Sequence, residues 1–182
     1  MLWEIATGLI SEYNVLVPIG SDLECDQIMK INGKPMQWPI TPKVAPYVAP
    51  RRKRKKVRAD IEYLIWGAIV LNERAYRVLH NALLPFGEFL PLDCLGERHY
   101  FYNVTTLFSV VDYENSAKMG KSVTKPVFIS TATPTGFCIF KDELTAGTAI
   151  YINDETKLEL EKVLAEHKLT GLFVGEAGTL LT

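Results

Sequence analysis

Apolar positions are unevenly spread along this chain, and their spacing changes from segment to segment. "IEYLIWGAIVL" (61–71) is almost continuously apolar, which predicts buried extended chain turning at Gly67. Directly after it, Ala75, Tyr76, Leu79 and Leu83 recur at helical spacing, predicting a helix from Glu73 to about Leu84. Asn72 caps its start, Glu73 sits near the positive end of the helix dipole, and Pro85 and Gly87 stop it. A second helix is predicted over 154–167, capped by Asn153 or Asp154, with Leu160, Val163, Leu164 and His167 on its core side and Thr170-Gly171 ending it.

The other apolar runs are short. "LWEIATG" and "CDQIMKING" read as N-terminal strands, the second closing at Asn32-Gly33. "GEFLPLDCLGERHYFYNV" reads as two strands joined by a turn near Leu95-Gly96. "KPVFIS" and "GFCIF" read as a further strand pair, "TAIYI" and "LFV" as short strands. Many strands, two helices and no βαβ alternation predict an α+β fold with a mixed, mainly antiparallel sheet in one domain spanning 1–182.

Between the N-terminal strands (1–33) and the main body (59–182) lies an unusual segment, 34–58. Pro35, Pro39, Pro42, Pro46 and Pro50 recur every three or four residues, then six basic residues follow in a row, Arg51, Arg52, Lys53, Arg54, Lys55 and Lys56, with Arg58 just beyond. Proline removes backbone donors and fixes φ, so this segment reads as an extended surface strap. Its length for a loop is a mild functional hint.

Charge sharpens the picture. The net charge of −1 conceals seven of the 20 basic residues in 51–58, leaving 13 basic against 21 acidic elsewhere, a formal −8. An acidic body disfavours general nucleic-acid binding, whose affinity comes from neutralising phosphates, and suits a basic protein partner. The basic run itself is read as a connector or a protein contact; a nucleic-acid-binding or regulatory module built on 51–58 is the alternative. Apolar residues at 48% and charged residues at 23% fit a globular protein. No apolar run reaches the ~20 residues of a membrane span, and no secretory signal is visible at "MLWEIATGLI". With three widely spaced cysteines, Cys25, Cys94 and Cys138, this places the chain in a reducing cytoplasm without disulfides.

Catalytic signatures are weak. "MGKS" (119–122) resembles the end of a phosphate-binding loop, but Asn115 stands where the earlier glycine belongs. His80, His99 and His167 lack metal-ligand spacing, and Cys94 reads as a small buried apolar group. No catalytic residue, metal or cofactor is expected, and the chain is not expected to be an enzyme.

Several segments carry a resemblance. "ADIEYLIWGAIVLNERAYRVLHNALLPFGEFLPLDC", "RHYFYNVTTLFSVVDYENS" and "AIYINDETKLELEKVLAEHKLTGLFV" are similar, in order and spacing, to the eleventh immunity-protein family of bacterial polymorphic toxin systems. The matching pieces are Asp60, Gly67 to Asn72, Gly87 to Leu92, Asn103-Val104, Asp112 to Ser116, and Leu169 to Val174, over about two thirds of the chain; residues 1–40 share little with it. The resemblance implies an inhibitor that binds a cognate toxin or effector domain, for which a basic nuclease is the expected class, and blocks its active site or substrate groove. From charge and position, the contact residues expected are Arg51, Arg52, Lys53, Arg54, Lys55, Lys56, Asp112 and Glu114. A homodimer stays open, and neither a membrane nor nucleic acid is expected as a partner.

Overall fold

A computed structural model describes residues 1–6, 13–48 and 56–178. In chain order the elements are β1 (Leu2–Ala6), β2 (Leu16–Pro18), α1 (Asp22–Met29) and β3 (Lys43–Pro46). There follow β4 (Ile61–Glu62), β5 (Ile69–Leu71), α2 (Glu73–Leu83), β6 (Gly87–Cys94) and β7 (Glu97–Val104). The remainder comprises β8 (Leu107–Phe108), β9 (Ala117–Met119), β10 (Ser122–Lys125), β11 (Ile139–Asp142), β12 (Tyr151–Asn153), α3 (Asp154–His167) and β13 (Phe173–Glu176). The fold is α+β, as the sequence predicts.

Two sheets form the frame. A six-stranded sheet runs β2-β3-β6-β7-β5-β4, and a five-stranded one runs β13-β1-β12-β11-β8. Pairing is antiparallel except for β3 with β6 and β11 with β8. Strand alternation then sorts side chains into three clusters. Ile69, Leu71, Tyr102 and Val104 of the first sheet meet Ile139 and Ile152 of the second, together with Leu79 of α2 and Leu160 of α3. On the opposite face of the six-stranded sheet, Val70, Leu92 and Phe101 pack under Ile28 of α1 and Trp38. On the opposite face of the five-stranded sheet, Phe140 and Tyr151 pack with Val110 and Phe128.

The two predicted helices form where their apolar spacing places them. Asn72 accepts from the Ala75 amide at 2.9 Å and Asn153 from the Thr156 amide at 3.0 Å, so asparagine caps both. Removing the first cap, Asn72→Ala, is expected to lower the unfolding free energy by about 1–2 kcal/mol, read from urea denaturation. His167 is corrected: it lies on the exposed side of α3, while Leu160, Val163 and Leu164 make the contact to the core.

Two strand expectations are overturned. "CDQIMKING" is mostly helix, because Ser21 and Glu24 form a reciprocal capping box that nucleates α1. "KPVFIS" does not pair with "GFCIF": β11 pairs with β12 and β8, while Phe128 bridges Val111 and residues 130–132 form a 3₁₀ turn. Within the proline-rich segment, Lys43–Pro46 enter the six-stranded sheet as β3. "MGKS" is the tip of the β9–β10 hairpin.

Among the described residues no helix is long and apolar enough to cross a membrane. Cys25, Cys94 and Cys138 are all free.

Candidate functional site at the anchored end of the basic run

Arg51, Arg52, Lys53, Arg54 and Lys55 lie outside the described residues. Lys56, the last of the run, is half-buried, and Val57 bridges Tyr13 and accepts from the Asn14 amide at 2.9 Å. Arg58 then fastens it to the six-stranded sheet. Its Nε donates to Glu62 Oε1 at 3.0 Å and its Nη2 to Oε2 at 2.7 Å, a two-pronged ion pair. Glu62 sits on β4 at 1 % exposure. Burial pushes its carboxyl pKa up, and the hydrogen bonds and charge of Arg58 act against this, with the carboxyl held below the usual carboxylate range. Arg58 is in turn held fully charged, chiefly by its bonds to Glu62.

His99 closes the cluster from β7. Its Nε2 lies 2.7 Å from Arg58 Nη2 and 3.5 Å from Glu62 Oε2. A guanidinium has donors only, so the shorter contact makes Nε2 an acceptor and places the ring proton on Nδ1, 3.4 Å from the Glu97 carbonyl. The imidazole lone pair is therefore occupied, and so are both Glu62 oxygens. A general base needs a free lone pair within reach of substrate, so this cluster fixes chain position instead of moving protons. Burial also raises the Cys94 pKa, which keeps that group a thiol.

Outside the cluster lies a cleft of about 410 Å³, lined by Asn72, Glu73, Arg74, Glu97, Arg98 and His99. Much of its charge is already committed. Glu73 accepts from Arg77 at 2.8 Å and from the Tyr100 hydroxyl at 2.9 Å. Arg74 reaches Asp60 and the carbonyl of His167. Asp60 is a hub: its carboxylate accepts from Asn72, Arg74, the Thr170 amide and the Thr170 hydroxyl. Burial raises its pKa, but the bonds from Asn72 and Thr170 win and hold it low. This hub ties the turn after α3 to β4 and α2. Gly171 makes the close approach feasible, since a Cβ there would lie 2.0 Å from the Ile61 carbonyl oxygen at φ +95°.

The two acidic residues expected at a partner contact occupy one turn before the β9–β10 hairpin. Asp112 is committed locally: Asn115 donates to it through its side chain at 2.7 Å and its amide at 3.1 Å, lowering its pKa. Glu114 is exposed. No hydrogen bond or ion pair joins this turn to Lys56 or Arg58 among the described residues. His80 packs on Tyr76 and Phe89, away from His99. Among the described residues no three His, Cys, Asp or Glu side chains are grouped to hold a metal ion.

Glu62 and His99 were not singled out as a pair by the sequence. The available signal was one acid, Glu62, inside the otherwise apolar run 61–71, since an acid buried there demands a cation. No protein-family model matches this chain, and no curated protein matches it.

Proposed function

We propose that this chain is an immunity protein, a non-catalytic inhibitor that binds a cognate bacterial toxin domain and covers its active site or substrate groove. The reading rests on the ordered resemblance of residues 59–174 described above, and one observation carries it further. The residues that bear the resemblance do architectural work. Asp60 is the hub, Asn72 caps α2, and Gly171 admits the Ile61 carbonyl. Gly87 leaves room for the Asn103 carbonyl, where a Cβ would stand 2.3 Å away. Asn103 holds the Lys34 carbonyl at 2.8 Å. A shared scaffold with recognition left to unshared surface side chains suits a set of inhibitors, each specific for its own toxin. The formal −8 outside 51–58 suits a basic toxin such as a nuclease.

Growth rescue tests this. A candidate toxin domain encoded next to this chain would be induced in a bacterium with and without it. Restored growth and co-purification are expected. Continued killing with both proteins soluble would contradict the reading for that pair.

A further inference from the structure

We propose that the uncovered face of β2 and β3 docks a partner protein whose contact surface is apolar at its centre and acidic at its rim. The inference goes beyond the inhibitor reading and does not depend on it. Register fixes which side chains share this face. Leu16 and Val44 point into the cluster under α1, so by strand alternation Val15, Val17 and Ala45 point the other way. Val17 stands opposite Ala45, and the Tyr47 amide donates to the Val15 carbonyl at 2.8 Å. Parallel bridges from Tyr13 to Val57 and from Val15 to Tyr63 widen the face on its other side. Ile19, whose amide donates to the Lys43 carbonyl at 2.9 Å, continues it past the end of β2. Trp66 stands edge-on to Tyr63, 5.6 Å between ring centres.

The composition of this face is the observation that points to a partner. A sheet face left to water carries polar side chains in alternation, and strands apolar on both faces belong to sheets covered on both. Here the β2 segment carries Leu16 on one face and Tyr13, Val15, Val17 and Ile19 on the other, and none of those four joins a core cluster. Among the described residues the five-stranded sheet ends at β13, where Phe173 meets Tyr13 at 6.4 Å. Beyond it Ile19 and Tyr47 are each 51 % exposed, Trp66 54 % and Val57 67 %. Contiguous apolar surface of this kind marks an interaction site. Tyrosine and tryptophan are also the residues enriched at the centres of protein interfaces.

Charge selects the kind of partner. The chain leaves this face after Tyr47 and returns to it at Val57, and the six consecutive cations 51–56 lie between those two positions in sequence. Lys43 is exposed on β3 but stands opposite Asp93, so the run sets the sign of the rim. A second copy docked here by two-fold symmetry would bring its own six cations to the same contact, and like charges repel. Carboxylates on a different protein would pair with them instead. Single-stranded nucleic acid could use the cations but needs free ring faces for its bases. Val15, Val17, Ile19 and Val57 intersperse aliphatic chains, which suit a close-packed protein contact.

The test selects binders to the full chain from a displayed library of a small helical domain randomised over one face. Enriched domains are expected to carry Leu, Ile or Phe flanked by Asp or Glu, and to shift the amide resonances of Val15, Val17, Ile19, Ala45 and Tyr47. The double variant Ile19→Asp/Tyr47→Asp, at two exposed positions, should weaken binding about tenfold or more at an unchanged melting temperature. Replacing Arg51 to Lys56 with glutamine should weaken it similarly. Absence of enrichment, enrichment of basic or neutral domains, binding that survives both variants, or shifts confined to another surface would each overturn the proposal. A dimer of the free chain in sedimentation equilibrium, broken by the double variant, would overturn it in favour of a second copy. Binding of a single-stranded oligonucleotide at ~0.15 M salt, lost in the double variant, would overturn it in favour of nucleic acid.

Discussion

Arg58→Met is expected to lower the unfolding free energy by about 3–5 kcal/mol at neutral pH, the cost of leaving a buried carboxylate without its cation. Glu62 is 1 % exposed and both its oxygens are taken by Arg58. The loss comes from the stranded charge, so adding Glu62→Met should recover more than half of it, because a buried ion pair replaced by apolar residues of similar size is nearly neutral. The pH dependence follows from the direction of the Glu62 shift. Its folded pKa lies below its unfolded one, so the pair's stabilisation is present above the unfolded carboxylate pKa. It is lost as pH falls through the folded pKa. Urea titrations of the wild type, single and double variants check this. A double variant no more stable than Arg58→Met would show that packing, not charge, holds the run's end.

Lys141→Met is the second large effect, and it is expected to stabilise. Lys141 lies on β11 with no exposure, and its ammonium nitrogen has one partner, the Ala146 carbonyl at 2.8 Å. Asp142, its neighbour, spends its carboxylate on the amides of Val110, Val111 and Leu144. Burial therefore lowers the Lys141 pKa from 10.5 to about 7. Between those values the unfolded chain binds the extra proton, so the wild type gains stability as pH rises through that window. Below about pH 7 the full penalty stands, on the order of 5 kcal/mol at 1.36 kcal/mol per pKa unit. Methionine removes it at a cost of about 1 kcal/mol for the lost hydrogen bond. The gap between variant and wild type should narrow by about 3 kcal/mol between pH 6.5 and 9.5. A gap constant across that range would mean that Lys141 is not charged in the unfolded chain alone.

Legibility in the sequence followed the range of the interactions. The helices α2 and α3 were readable because spacing and an asparagine cap are both local. The α1 helix was missed although its signal was present: "SDLE" is the capping-box pattern, and it outweighs the short apolar alternation of "CDQIMKING". The β6–β7 hairpin was readable because Leu95 and Gly96, both at positive φ, form the turn where the polarity changes. The pairing of β11 with β8 and β12 was not, since register between distant strands depends on the whole core. The Arg58–Glu62–His99 cluster is hidden for the same reason: His99 lies 41 residues from Arg58 and on a strand separated from β4 by β5.

A non-catalytic inhibitor acts stoichiometrically on its target. The most direct measurement titrates the purified chain into a purified candidate toxin domain, following heat and the domain's activity together. Saturation at a fixed stoichiometry is expected, with toxin activity falling to background at the same point. Saturable binding that leaves the activity intact, or loss of activity at substoichiometric amounts of this chain, would contradict it.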